Sequence, residues 1–303
     1  MNRREFLVSS AAAGVTVGLS TFAHGADVAG ASGTKVCPAK PAELKLCSQE
    51  SRVRGKSLRE KVEKLQSWGA VGVEINGRKL AERVSEIKAA VKGTTVSVSA
   101  ICAGYFKLID PDPEKRKAGA KELKDLCGPA GEIGSTGIIM VPAFNNHPQL
   151  TPKEARKVLV DLLGEIGEVA HKAGTRVIME PLNRGEAFFL RQLADAASIC
   201  RDVNSPGIAM MGDFYHMFRE ETSDLGAFIS GGKYVHHVHL ASRLRNLPGQ
   251  DDRSFVEGFR GLKMIGFREY CSMECSHKKK TDPDVEMPKS FRFLEEQWKQ
   301  ATI

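Results

Sequence analysis

Four residues of metal-ligand type close four short apolar runs: Glu180 after Val177-Ile178-Met179, Asp213 after Met210-Met211-Gly212, His239 after His237-Val238, and Glu274 after Cys271-Ser272-Met273. They stand 33, 26 and 35 residues apart. Each interval is about one strand-plus-helix unit of a (β/α)8 barrel, which spends roughly 250 residues on eight units. That fold brings the C-terminal ends of successive strands to one rim. Three carboxylates and one imidazole meeting there would form a hard, oxygen-rich site for one divalent cation. A single carboxylate at a strand end is more often a helix cap or an ion-pair partner. Four in consecutive units, with three companions at tight spacing, point to a site. Glu186 follows Glu180 by six residues, His216 follows Asp213 by three, and Arg245 follows His239 by six. All three are expected in loops on the same face.

The elements that must position them alternate regularly. Strands are predicted over 44–47, 72–75, 96–101, 137–141, 176–179, 208–211, 234–239 and 270–273. Helices are predicted over 57–68, 80–91, from 113 onward, 152–174, 190–200, 222–229, 255–264 and 288–300. Ser57 with Glu60 three residues on reads as a capping box. Pro113 and Pro152 suit a first helical turn, and Gly174 suits the residue past a helix end. Eight strand–helix units imply parallel strands joined by right-handed crossovers. The fold class is therefore α/β, a (β/α)8 TIM barrel, as one domain over residues 32–303.

Residues 1–31 are not expected to belong to the fold. Arg3-Arg4-Glu5-Phe6-Leu7 precedes a modest apolar stretch to Phe22 and then small residues to Ala31. A charged start, an apolar middle and a small-residue end make an export leader. The Arg-Arg-x-Phe-Leu core resembles a twin-arginine signal. The stretch is too short and too weakly apolar for a stable membrane anchor. It implies export to the periplasm of a protein already folded.

Composition sets outer bounds. Hydrophobic residues make up 42% of the chain, enough for a sizeable core. The formal charge of +7 permits acidic partners, but no Lys/Arg block with interleaved aromatics supports nucleic-acid binding. Cysteines 37, 47, 102, 127, 200, 271 and 275 are odd in number and lack paired Cys-x-x-Cys spacing, so neither a disulfide framework nor a structural zinc site is expected.

Glu180-Pro181-Leu182-Asn183-Arg184, Asp213-Phe214-Tyr215-His216-Met217, and His237-Val238-His239-Leu240-Ala241 followed by Arg245, closed by Glu274, resemble the xylose-isomerase-like barrel superfamily. Within it they are most similar to the ketose (tagatose/psicose) 3-epimerases. The resemblance runs from about Leu44 to Glu296. It implies one divalent ion, Mn2+ first with Co2+ or Mg2+ as substitutes, and a small sugar or keto-sugar substrate. It implies that Glu180, Asp213, His239 and Glu274 hold the metal. Glu180 and Glu274 would also flank the substrate carbon, one removing a proton and the other returning it. Glu186, His216 and Arg245 would hold the substrate's oxygens. A homo-oligomer is compatible with the resemblance. In that chemistry a divalent cation acidifies the C–H beside a carbonyl and stabilises an enediolate, while Arg245 and His216 add donors where negative charge develops. Two bases on opposite faces give epimerisation; one base serving adjacent carbons gives aldose–ketose isomerisation.

Departures from that pattern keep the substrate open. Ser48-Gln49-Glu50-Ser51, after the first strand, lacks the aromatics with which the epimerases cover the sugar; Tyr105 and Phe106 are candidates to replace them. The run Cys275-Ser276-His277-Lys278-Lys279-Lys280 reads as a basic, solvated loop. The same site could instead drive elimination from a 3-keto sugar or glycoside, making the protein a lyase. A nuclease of the apurinic-endonuclease kind needs strand-end histidines that strands 2 to 4 lack, and a non-catalytic sugar-binding protein would not need the complete base set. Glu74 is read as a ligand's partner or a helix cap, His237 as a packed histidine or a partner of the ligands, Asn145 and His147 as loop residues near substrate, His171 as a surface residue near a helix end, and Gly231-Gly232-Lys233 as a turn.

Overall fold

The computed structural model describes residues 41–147, 149–277 and 281–303. The expected leader at 1–31, Cys37 and Lys278–Lys280 lie outside these residues. Eight parallel strands close in sequence order: β1 (Lys45–Gln49), β2 (Gly72–Asn76), β3 (Ser97–Tyr105), β4 (Ile138–Val141), β5 (Val177–Met179), β6 (Ile208–Asp213), β7 (Val235–Leu240) and β8 (Tyr270–Met273). β1 pairs with β8, which seals the barrel. Helices α1 (Leu58–Ser67), α2 (Leu80–Val91), α3 (Pro113–Glu132), α4 (Pro152–Lys172), α5 (Leu193–Val203), α6 (Phe214–Glu220), α7 (Asp224–Gly231), α8 (Val256–Met264) and α9 (Pro283–Gln300) connect and surround it.

Strand alternation divides the side chains between two cores. Val73 and Ile75 of β2, Val177 and Met179 of β5, and Cys271 and Met273 of β8 join the large shell between strands and helices. Ala100, Ile139, Ile178, Ala209 and Met211 form a separate small cluster on the inner wall. Helix starts follow local chemistry. Ser57 Oγ accepts from Glu60 N at 3.2 Å, Asp112 caps Glu114 N at 2.9 Å, and Thr151 with Glu154 forms a reciprocal capping box ahead of Pro152. Gly174 sits at φ 77°, past the end of α4.

Five expectations needed correction. The final helix begins at Pro283, capped by Asp282, and Pro288 lies inside it rather than at its start. α5 begins at Leu193 because Leu190 is in the left-handed region at φ 59°. β3 runs on to Tyr105, with register shifts against both neighbours. Phe106 is buried and packs into the core, so it is not available to cover a sugar. Lastly, His216 is not in a loop: α6 follows β6 directly, because the Asp213 carboxylate accepts from Tyr215 N at 2.8 Å and starts the helix.

Candidate metal and substrate site

Glu180, Asp213, His239 and Glu274 converge at the C-terminal end of β5 to β8. One ligand atom from each lies within 4.8 Å of all the others. Donors each about 2.0–2.6 Å from one shared cation can be no more than roughly 5 Å apart, so the spacing fits a single divalent ion. Asp213 Oδ2 is buried and has no hydrogen-bond partner among the described residues, as expected of a ligand aimed into the cluster. His239 Nδ1 lies 3.3 Å from Glu180 Oε1 and 3.4 Å from Glu274 Oε2.

The electrostatics fit a cation. Burial, reinforced by Glu274 and Glu180, pushes the Asp213 carboxyl up to about 8. Burial also raises Glu180, against the pull of His239. Burial opposes charge on Glu274 too, but His239 and Arg245 outweigh it and hold its carboxyl well below the usual range. His239 is driven the other way: burial disfavours its charge, yet Glu74 and Glu274 raise it well above an ordinary imidazole. A proton held on His239 Nδ1 occupies the lone pair a ligand needs, so loading the cluster must release it.

Behind the cluster lies a second set of buried groups. Glu74, fully buried on β2, has Oε2 2.9 Å from His237 Nε2 and 3.0 Å from His239 Nε2. Gln49 Nε2, at the end of β1, donates to Glu74 Oε1 at 2.8 Å and to Glu274 Oε1 at 2.9 Å. Glu74 therefore contacts the imidazoles and does not cap α2, whose first residue follows Lys79 in a left-handed turn.

The three companions line the opening. Asn183 N and Nδ2 both face His216 Nδ1, at 3.2 and 2.8 Å, which places the imidazole proton on Nε2. That Nε2 is buried without a partner among the described residues, 3.6 Å from Asp213 Oδ2. Burial, helped by Arg245, lowers His216 to about 3, so it is a neutral donor at ordinary pH. Asn183 Nδ2 also donates to Glu186 Oε1 at 3.0 Å. Arg245 Nη2 donates to Glu274 Oε2 at 2.7 Å, with Nη1 3.6 Å from Glu186 and the guanidinium 4.8 Å from the Tyr215 ring centre. Arg245 sits at φ 59°, held by Arg245 N to Ser242 O and Ser276 N to Arg245 O. Strained backbone of this kind concentrates at functional sites.

All seven expected site residues thus come together. Four supporting groups are weakly marked or unmarked in the sequence. Gln49 stood in a stretch noted only for its missing aromatics. Glu74 and His237 stand at strand positions that carry no signal of their geometry. Glu220 carries no motif in the sequence: its buried carboxylate accepts from Arg184 N and from Arg184 Nε at 2.8 Å, tying the β5 loop to α6. Asn145 serves the same loop, donating to Arg184 O at 3.0 Å. His147 stacks on Tyr105 at 4.4 Å between ring centres, with Phe144 edge-on to both. His171 is exposed in the last turn of α4; Gly231 ends α7 and the turn is a 3-10 helix over Gly232–Tyr234, one residue later than expected. Cys47, Cys102, Cys127, Cys200, Cys271 and Cys275 are free thiols.

Comparison with known proteins places these features in context. A family model described as a xylose isomerase-like TIM barrel matches residues 62–297. The 3-dehydro-D-guloside 4-epimerase of Escherichia coli is 30% identical over 240 residues, covering 76% of this chain and 92% of that protein. The D-psicose 3-epimerase of Ruminiclostridium cellulolyticum is 26% identical over 199 residues, covering 63% and 68% respectively. Among solved structures, the apo form of an E. coli 3-keto-D-glucoside 4-epimerase superposes with TM-score 0.77 and 28% identity, over 84% of this chain and 100% of that one.

Proposed function

The chain belongs to the xylose isomerase-like TIM barrel family, and from that premise we propose that it is a metal-dependent sugar epimerase acting on a carbon beside a carbonyl. The observation that carries this reading is the meeting of two carboxylates, Glu180 from β5 and Glu274 from β8, at the same imidazole nitrogen of His239. Glu180, Asp213, His239 and Glu274 would hold the metal, with Mn2+ as the expected ion. When bound, a divalent cation supplies Lewis acidity to the substrate's carbonyl and neighbouring hydroxyl oxygens.

The protein's own groups do the rest. One carboxylate of the Glu180–Glu274 pair takes the proton from carbon, and the other delivers a proton to the opposite face. Arg245 and the Nε2–H of His216 donate to the oxygen on which negative charge grows. Glu186, fixed by Asn183, accepts from a substrate hydroxyl. The substrate class is a keto sugar or 3-keto glycoside; the two named relatives support it, and the polar opening around Glu186 and Arg245 suits it. The test is to incubate the Mn2+-loaded protein with ketoses and 3-keto glycosides and follow stereochemistry by NMR. Equilibration of two epimers supports the proposal. Release of an aglycone without epimer formation would replace it with a lyase.

We further assign residues 1–31 to a twin-arginine export leader and the mature enzyme to the periplasm, on the pattern Arg3-Arg4-Glu5-Phe6-Leu7. Changing both arginines to lysine should retain the unprocessed chain in the cytoplasm; unaltered export would remove this assignment.

A further inference from the structure

The interior of a (β/α)8 barrel is usually filled with bulky branched side chains. Here a fully buried carboxylate, Glu74, occupies that interior beneath the ligand cluster. Burying such a charge is costly unless it is fully hydrogen-bonded. Glu74 meets that condition with three contacts: His237 Nε2, His239 Nε2 and Gln49 Nε2, at 2.9, 3.0 and 2.8 Å. Two of these lead to proposed metal ligands. His239 is one directly. Gln49 reaches the other, because the same Nε2 donates to Glu274 Oε1 at 2.9 Å. The register of β3 against β2 shifts between Val73 and Glu74, a local irregularity of the kind that re-aims side chains near active sites.

We infer that Glu74 and Gln49 are positioning residues for the metal centre, a role that rests on the site proposed above. Glu74 accepts a proton-bearing Nε2 from His239 and so leaves Nδ1 with its lone pair turned toward Glu180 and Glu274. A ligating histidine needs its other ring nitrogen engaged in this way to fix tautomer and ring angle. Gln49 ties up Oε1 of Glu274, so that Oε2 is the oxygen presented to Arg245 and to the cluster. His237 donates to the same Glu74 oxygen, and its Nδ1 has no partner among the described residues. It is oriented to support the carboxylate and not the cation.

The test measures metal binding directly, by the free Mn2+ signal in electron paramagnetic resonance, on the full mature chain. The variants are Glu74→Gln, Glu74→Asp and Gln49→Met. Glu74→Gln removes the negative charge and one of the two acceptor oxygens beneath His239 and should weaken Mn2+ binding about 10- to 100-fold, while the metal-free melting temperature stays within a few degrees. Glu74→Asp should recover part of the loss. Gln49→Met should weaken binding by a smaller factor, and it gives an independent reading where Glu74→Gln does not fold. Long-range 1H–15N correlations on 15N-histidine-labelled apoprotein, with His239 identified by its absence in His239→Gln, should show the Nε2-protonated tautomer or the doubly protonated ring in the wild type. Wild-type affinity in both Glu74→Gln and Gln49→Met, or an Nδ1-only proton in wild type, would overturn the inference. A wild-type protein that binds no Mn2+ would overturn the site itself, and this inference with it.

Discussion

The inner wall of the barrel has two unlike arcs. From β3 to β6 it is apolar: Ala100, Ile139, Ile178, Ala209 and Met211 pack on one another. From β7 through β8 and β1 to β2 it is polar: His237, His239, Ser272, Gln49 and Glu74 are buried and, apart from Ser272, linked side chain to side chain. Glu180 and Asp213 crown the first arc, and His239 and Glu274 crown the second. The apolar arc needs only shape to be stable. In the polar arc each unmet buried donor or acceptor costs about 1–3 kcal/mol, and the buried charge of Glu74 is met three times over. One arc supplies stability cheaply; the other holds geometry, and geometry is what a metal centre and a pair of acid–base carboxylates require.

The largest expected effect lies where the two arcs meet. Glu180→Gln and Glu274→Gln should each lower turnover by about 10²- to 10⁴-fold, the range of a lost acid–base group, with the fold intact by circular dichroism. Next is pH. The Asp213 carboxyl stands near 8 without a cation, above its ordinary value of 3.8. Its bound proton stabilises the metal-free fold below about pH 4, and that contribution is lost as pH rises through 8. Metal loading must displace this proton and the one held on His239, so the sign for binding is the reverse: Mn2+ affinity should fall by at least about tenfold for each pH unit between 8 and 6. A flat profile in calorimetric titration would contradict this.

A smaller effect is expected at the loop that carries Glu186. Glu220→Gln loosens Arg184 and should raise KM by about tenfold with a lesser change in kcat, consistent with about 1–2 kcal/mol for hydrogen bonds to a charged group. Steady-state kinetics on the epimerised sugar measures it. The smallest effect on function is expected in the apolar arc. Ile139→Ala should cost about 2–5 kcal/mol of stability in denaturant titration, yet leave Mn2+ affinity within about twofold. A large change in affinity there would erase the contrast between the arcs.

The two arcs also differ in how far the sequence discloses them. The ligands could be read because each ends a short apolar run at barrel spacing, and their companions follow at fixed intervals. The strands were legible for the same reason. Gln49 was not, because a glutamine after a strand has no distinctive signature; its role exists only through β1 lying beside both β2 and β8. Glu74 is visible as a carboxylate at a strand end, but its two histidine partners lie more than 160 residues away in the chain. α6 was hidden because its cap, Asp213, is also a ligand candidate, and a seven-residue helix carries too little periodicity to be read.

The most direct test of the central claim, that Glu180 and Glu274 exchange a substrate proton at this metal site, is isotope exchange. The Mn2+-loaded enzyme is incubated in D2O with ketoses and 3-keto glycosides beside Glu180→Gln, and C–H signals are followed by proton NMR. Loss of one signal adjacent to a carbonyl, with the intact enzyme and at least about a hundredfold slower in the variant, is the predicted result. Equal exchange by Glu180→Gln would contradict the account.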